Sequence, residues 1–344
     1  MSNFTCIVKE KVLKALNEYK MLENTDNVIV GFSGGADSVC LLHWLVLCGL
    51  NVTALHVNHH LRPSANTEAA YVSDLCQKLN IPCHIFDWTD AKPASGLEAA
   101  ARDARYRFMT DWCHDNGVET LMIAHQADDQ IETFLMNLAR GSGLTGLSAI
   151  RPVTYRNGIQ IVRPLLSTFR SELIAYCDAN KIKYFSDEMN DDESYTRVKI
   201  RKNRHLLSEK LGITDNRILL AIENLSRASD ALTGDIESRV RSVIYDDYAL
   251  FSDSFLFDVP RHIGLKCLGM LIQIIGGNEY QPRLNSLEFA LSKLQENCKF
   301  TLGHCTVRRF NSQILIVPEG AKTSIRKKNE KLKRLQKKQK QQQI

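Results

Sequence analysis

Short apolar runs rich in β-branched residues alternate with longer stretches of helical period through the N-terminal part of the chain. Val28–Phe32, Val52–Val57, Cys83–Phe86 and Thr120–Ala124 predict strands, and the spacing of apolar positions predicts helices near Asp37–Cys48, Asn66–Leu79 and Leu97–Asn116. This alternation predicts an α/β fold, a parallel sheet with helices on both faces and ligands at the carboxyl ends of the strands. An amphipathic segment near Val8–Leu22 precedes it. From about Ile213 the pattern changes to helical stretches, Arg217–Val243 and Leu284–Glu296, and then to two strand-like runs, Lys299–Arg309 and Gln313–Val317, joined near Asn311-Ser312. The expected organisation is an α/β domain over 1–212, a smaller helical or α+β domain over 213–320, and a tail over 321–344.

A chain of 344 residues that is 44% hydrophobic has core enough for about two domains. No run of about eighteen uncharged apolar residues occurs, and Met1-Ser2-Asn3-Phe4 starts neither a basic nor an apolar signal segment. The expectation is a cytoplasmic protein with no membrane partner. Ten cysteines are scattered without a Cys-x-x-Cys pair, which disfavours zinc ribbons, iron–sulfur sites and a disulfide framework. The net charge of +5 is uneven, because residues 321–344 hold ten Lys/Arg against Glu330 alone. The body is therefore slightly acidic, and affinity for a polyanion must come from local patches and the Lys- and Gln-rich tail.

The run Val28–Phe32 leads into Ser33-Gly34-Gly35-Ala36-Asp37-Ser38. Two glycines let consecutive backbone N–H groups turn toward an anion, and the positive end of the following helix adds to the attraction. A Gly-Gly pair alone is also an ordinary strand-to-helix turn, but the whole hexapeptide carries more. Ser33 and Ser38 add hydroxyls, Asp37 adds a carboxylate able to hold magnesium, and the Lys-Ser/Thr of a Walker P-loop is absent. The signature resembles the PP-loop of ATP pyrophosphatases, which split ATP between the α- and β-phosphates and attach AMP to a carbonyl oxygen. That resemblance implies that Ser33, Gly34, Gly35, Ala36, Asp37 and Ser38 hold ATP, with Mg2+ on Asp37.

A second cluster, His125-Gln126-Ala127-Asp128-Asp129-Gln130-Ile131-Glu132-Thr133, follows the last of these strands. With a helix opening near Ala127, His125 lies at its mouth, and Asp128 or Asp129 falls three or four residues from Glu132 on one face. Such carboxylates also cap a first turn and compensate its dipole. Beside a phosphate turn they can orient an amine, accept its proton or bind metal. The Ala-rich stretch Leu97–Arg107 carries Arg102 and Arg105, unremarkable on a solvated face but able here to stabilise phosphate charge or clamp an RNA backbone.

These pieces, with His56-Val57-Asn58-His59-His60-Leu61-Arg62-Pro63, Arg140-Gly141-Ser142-Gly143-Leu144, Arg163-Pro164-Leu165-Leu166 and Asp187–Arg201, occur in the order seen in tRNA(Ile)-lysidine synthetases. The resemblance is strong over about residues 25–205 and weaker in the second domain, which it marks as tRNA-binding. It implies a ligase that adenylates the C2 oxygen of the wobble cytidine of tRNA(Ile) with a CAU anticodon. The amine of free L-lysine then displaces AMP, so that AUA is read in place of AUG. Asp37, Arg105, His125, Asp129, Glu132 and Arg197 fall on the family's catalytic positions. Asp129 and Glu132 are assigned to the lysine amine, and Arg105 and Arg197 to phosphate or RNA. The resemblance also implies a homodimer, and a chain of this length is expected to lack the additional C-terminal domain of longer members. The chain departs from the family at His60, where Gly is frequent, and at Arg197-Val198-Lys199-Ile200-Arg201, where Arg-Asn-x-Ile-Arg is usual. The alternatives are a PP-loop tRNA thiolase, which the lack of paired cysteines opposes, and a non-catalytic nucleotide-gated RNA-binding module, which the intact Asp37, Asp129 and Glu132 oppose.

Overall fold

Val28, Val30 and Phe32 are buried on one side of the first strand and Ile29 on the other, so this strand has an apolar layer on each face. That two-sided burial is why the strand reads as a continuous apolar run rather than an alternating one. The computed structural model describes residues 27–320 apart from 94, 186–195, 279 and 311, together with Leu16. The rest of the expected leading helix, residues 187–195 of the motif Asp187–Arg201, and the basic tail lie outside the described residues. The chain divides into two compact units, Met1–Ser229 and Asp230–Ile344.

In the first unit, β1 (Asn27–Gly31), β2 (Asn51–Asn58), β3 (Cys83–Asp87) and β4 (Thr120–Ile123) follow the predicted strands to within a residue or two. Two further strands, β5 (Val153–Arg156) and β6 (Ile159–Val162), complete a sheet of order β3-β2-β1-β4-β6-β5. All neighbours are parallel except β5, which pairs antiparallel with β6. The predicted parallel sheet thus carries one antiparallel edge strand. Its hairpin turns at Asn157-Gly158, both at positive φ (49° and 78°), the conformation a two-residue turn needs between right-twisted strands.

The helices are α1 (Ala36–Leu47), α2 (Ala65–Lys78), α3 (Leu97–Asp115), α4 (Ala127–Ala139), α5 (Leu144–Leu147), α6 (Arg170–Ala179), α7 (Thr196–Asn203), α8 (His205–Leu211) and α9 (Asp215–Arg241). Leu41 and Trp44 of α1, Val72 of α2 and Tyr176 of α6 bury one face of the sheet. Tyr106, Met109 and Cys113 of α3 bury the other. Each fully buried large side chain of this kind contributes about 1.5–3 kcal/mol. Ile218 and Ile222 of α9 pack with Ile131 of α4 in a satellite cluster.

The second unit contains an antiparallel sheet of order β7 (Ile244–Tyr245), β8 (Tyr248–Ser252), β11 (Gln313–Pro318), β10 (Cys305–Phe310) and β9 (Phe300–Leu302). Short α10 (Ser254–Phe257) precedes α11 (Arg261–Gly276) and α12 (Leu284–Gln295). Leu268, Leu271 and Ile272 of α11 pack with Leu291 of α12 and with Val307 and Ile316 of the sheet. The expected single run Lys299–Arg309 is two strands, because Gly303 and His304 take φ of 54° and 58° and reverse the chain. Among the described residues no helix is long and apolar enough to cross a membrane.

Gly276 ends α11 against that reversal, and a Cβ there would strike the carbonyl oxygen of Gly303. Gly276→Ala is expected to destabilise the protein by about 1–3 kcal/mol, read as a lowered midpoint in urea. An unchanged midpoint would show that the two backbones do not approach as described.

Candidate active site

β1 and β4 are neighbours where the strand order reverses, pairing Ile29 with Leu121 and Gly31 with Ile123. A crevice outside the carboxyl ends of such strands is where open α/β sheets hold ligands. Gly31 has no room for a side chain, since a Cβ would lie 2.5 Å from Ile123 Cδ1 and 3.0 Å from Met109 Sδ. The next carbonyl, of Phe32, accepts a hydrogen bond from His56 Nδ1 at 2.8 Å, which ties the end of β2 to the loop.

The turn Ser33–Ser38 is built partly from its own hydroxyls. Ser38 Oγ accepts from the N–H groups of Ser33 (3.2 Å) and Gly34 (3.1 Å) and donates to the carbonyl of Gly35 at 3.0 Å. Two N–H groups expected to face an anion therefore close on Ser38 instead. The donors left for a ligand are those of the first turn of α1, whose N-cap Gly35 offers no side-chain cap. Gly34 stands at φ +83°, and the N–H of Phe185 donates to its carbonyl at 3.0 Å, bracing the loop from outside.

A pocket of about 330 Å3 opens beside this turn. Ser33, Asp37 and Ser38 form one wall, Arg105 and His125 another, and the end of β2 with Leu61 a third. At the loop after β2, His60 holds φ +52°, the left-handed conformation that Gly takes freely and other residues take at about 1–2 kcal/mol. Its N–H donates to Asn58 Oδ1 at 3.1 Å and its Nε2 lies 2.7 Å from Asp87 Oδ1. His60 thus stands in the backbone conformation that a Gly at this position would adopt freely.

Asp37 is the one carboxyl among the described residues whose pKa is raised. Its Oδ2 meets Arg170 Nη1 at 3.1 Å, whereas Oδ1 is buried without a partner. Burial pushes its pKa up to about 6, with Arg170 opposing and the charges of Asp129 and Asp128 adding to the rise. The same Arg170 donates its backbone N–H to Asp128 Oδ2 at 2.8 Å, so one residue joins the glycine turn to the acidic helix mouth.

At that mouth, Gln126 caps α4 by accepting from the N–H of Asp128, and Asp129 Oδ2 accepts from the N–H of Gln126 at 3.1 Å, a reciprocal capping box. Asp129 Oδ1 stands 3.6 Å from Arg197 Nη2. Asp128 pairs with Arg204, which also reaches Asp215 at 3.4 Å. Glu132 is fully buried, with Arg201 Nε hydrogen-bonded at 2.7 Å and Arg197 Nε 2.8 Å away in a contact that is electrostatic rather than well aligned. Arg197 and Arg201 lie four residues apart on one face of α7, which these charges stitch to α4.

Arg105, half-buried in the pocket wall, has no carboxylate at ion-pair distance among the described residues. Its guanidinium lies 5.7 Å from the ring centre of Tyr106, a ring also faced by Arg102 at 5.2 Å and Arg156 at 4.5 Å. His125 Nδ1 is 3.2 Å from Arg163 Nε, and burial, with the cations of Arg163, Arg102, Arg105 and Arg197, holds its pKa well below the ordinary imidazole range.

Asp37, Arg105 and His125 thus share one pocket, while Asp129, Glu132 and Arg197 form the adjoining ion network. Arg201 and Asp128 stood in segments singled out by sequence without a role of their own, and the Arg197/Arg201 spacing was the signal that pairs them with one helix face. Arg170 and Arg204 carry no local signal, because their partners lie far away in sequence.

The family model of the PP-loop domain matches residues 5–207. The chain is 34% identical over 309 residues to a tRNA(Ile)-lysidine synthase of Wolbachia pipientis wMel, covering 86% of this chain and 72% of that one. It is equally 34% identical over 309 residues to the tRNA(Ile)-lysidine synthase of Ruegeria pomeroyi, covering 85% of this chain and 74% of that one. In fold it is similar to the U34-tRNA thiolase NcsA of Methanococcus maripaludis, solved with its [4Fe-4S] cluster. The TM-score is 0.56 at 18% identity, over 65% of this chain and 79% of that one.

Glu132→Gln leaves two guanidiniums, each about a third exposed, without their shared carboxylate, and is expected to destabilise the fold by about 2–4 kcal/mol in chemical unfolding. Asp37 has the opposite effect on stability. A carboxyl whose pKa is about 6 folded and 3.8 unfolded favours the folded state below pH 3.8, and that contribution is lost as pH rises through 6. Asp37→Asn should therefore stabilise the protein at pH 7.5 by about 1–3 kcal/mol, and the advantage should vanish near pH 4. Thermal unfolding across pH measures it, and equal stability of variant and native protein at pH 7.5 would remove the strained carboxylate.

Proposed function

The chain belongs to the tRNA(Ile)-lysidine synthase family of ATP-using PP-loop enzymes, and from this membership and the pocket geometry we propose how it forms lysidine. The substrates are ATP, free L-lysine and the wobble cytidine of a tRNA(Ile) with a CAU anticodon. The product changes codon reading from AUG to AUA. A ring carbonyl is a poor electrophile until its oxygen is made a leaving group, so adenylation of the cytidine C2 oxygen precedes attack by the amine.

The observation that carries this reading is the convergence of the glycine turn, Arg105 and His125 on one pocket, with Asp129 close enough to raise the pKa of Asp37. ATP phosphates are held at the uncapped first turn of α1, with Arg105 as the cation that meets their charge. Asp37 fits a magnesium ion, because one of its oxygens is buried and unpartnered and hard oxygen donors suit that metal. No group of three or more His, Cys, Asp or Glu side chains is placed to hold a metal among the described residues. The remaining ligands would be phosphate oxygens and water, which magnesium commonly keeps. The bound metal supplies charge neutralisation at the phosphates.

Asp129 handles the lysine amine. One of its oxygens caps α4 and the other has only the long contact to Arg197, which leaves it able to accept from an ammonium and take a proton as attack begins. Glu132 is given positioning rather than the amine, since it is fully buried and both its oxygens face guanidiniums. Arg197, set between Asp129 and Glu132, holds that acidic pair in place.

The test is mass analysis of nucleosides after incubation of tRNA(Ile) bearing CAU with ATP, Mg2+ and lysine. A cytidine heavier by lysine less water, with one AMP released per modification, is expected; sulfur incorporation or unchanged cytidine would overturn the reading. Asp129→Ala should lower modification by about 10²–10⁴-fold in a protein that still folds, destabilised only by the lost cap, about 0.5–2 kcal/mol, and near-native activity would remove Asp129 from the site.

A further inference from the structure

Arg163 is a buried cation to which the function above gives no part. It follows β6 directly, is 6% exposed, and has no carboxylate at ion-pair distance among the described residues. Its Nη1 donates to the carbonyl of Arg151 at 2.9 Å and to Thr154 Oγ1 at 3.0 Å, anchoring it to the edge strand β5 and the segment before it. The hydroxyl of Tyr106 stands beside it without an aligned hydrogen bond. The remaining contact is Nε to His125 Nδ1 at 3.2 Å. A guanidinium has only donors, so this contact requires Nδ1 to be an unprotonated acceptor.

A neutral imidazole that accepts at Nδ1 carries its proton on Nε2. His125 also lines the pocket that holds Asp37, Ser33 and Ser38, and its Nε2 has no protein partner among the described residues. The largest charge effects on the ring come from the cations of Arg163, Arg102, Arg105 and Arg197, each of which opposes a second proton, and they outweigh the carboxylates of Asp37 and Glu68 that line the same pocket.

We infer that Arg163 is a positioning residue that locks His125 as the Nε2–H tautomer, so that the ring donates a hydrogen bond to an anionic oxygen of the bound nucleotide and cannot serve as the base. The proton lost by the attacking amine must then go to a carboxylate, which leaves Asp129 as the acceptor within this network. The nucleotide half of the inference rests on the ATP-using function proposed above; the tautomer does not.

The test is nitrogen-15 NMR of protein labelled at histidine, with the His125 signals identified by their absence in His125→Gln. Expected is an Nε2–H pattern that does not titrate between pH 5.5 and 8.5, with ATP moving the Nε2 signal more than Nδ1. Arg163→Met should mix the two tautomers and bring a titration back toward the ordinary range, and AMP formation by that variant should gain an acidic limb absent from the native enzyme. Arg163→Gln, which keeps an N–H donor and removes the charge, should restore the tautomer more than the low pKa. An Nδ1–H pattern or a titration near 6.5 in the native protein would overturn the inference without any variant having to fold. Failure of ATP to move Nε2 while AMP release proceeds would overturn the donor role alone.

Discussion

The parallel pairing of β1 with β4 is the constraint on which the site depends. It joins two segments far apart in the chain, and it sets the glycine turn after β1 beside the His125–Asp129 segment after β4. Neither end can move independently, because β1 is buried on both faces and Gly31 leaves no space for a side chain against Ile123 and Met109. The energy that holds this arrangement comes from apolar burial in the two layers. The polar residues at the strand ends are carried to their positions by a core that takes no part in the chemistry.

Around that crevice, desolvation decides more than pairing. Asp37 has an arginine at 3.1 Å, yet burial and two neighbouring carboxylates outweigh it and raise its pKa to about 6. His125 is kept neutral by burial and by four arginines. Glu132 represents the other outcome, a fully buried carboxylate made tolerable by guanidiniums at 2.7 and 2.8 Å. Removing either kind of residue therefore has opposite consequences for stability, as expected where groups held ready for a ligand are strained and groups that hold them are not.

Much of the first unit was legible because strands buried on both faces leave unbroken apolar runs, and Gly34-Gly35 and the acidic first turn of α4 mark where they end. The hairpin at Asn157-Gly158 carries a turn signal legible in sequence, whereas Gly303-His304 lies inside a run that reads as a single strand, because His is not a usual turn residue. In the site, the one-face spacing of Asp129 and Glu132 was correct, but spacing cannot tell which carboxylate another helix will cover. Glu132 is fully covered between Arg197 and Arg201 of α7, whereas Asp129 meets only Arg197, at 3.6 Å. Arg163 stood in a marked segment, but its bearing on His125 depends on a contact across the sheet that no local pattern encodes.

The charges left unmatched explain why the pocket suits one class of ligand. On one side Asp37 keeps a buried oxygen without a partner, in the field of Asp128 and Asp129, and calls for a cation. On the other, Arg105 lines the pocket with no carboxylate at ion-pair distance among the described residues and calls for an anion. These two demands do not satisfy each other directly: Arg170 takes one oxygen of Asp37 at 3.1 Å, and Arg105 forms no ion pair with Asp37. A ligand carrying only phosphate would leave Asp37 strained, and a metal alone would add to the surplus of positive charge around Arg105. A ligand that brings a cation to Asp37 and an anion to Arg105 answers both at once, in keeping with the nucleotide proposed for this pocket.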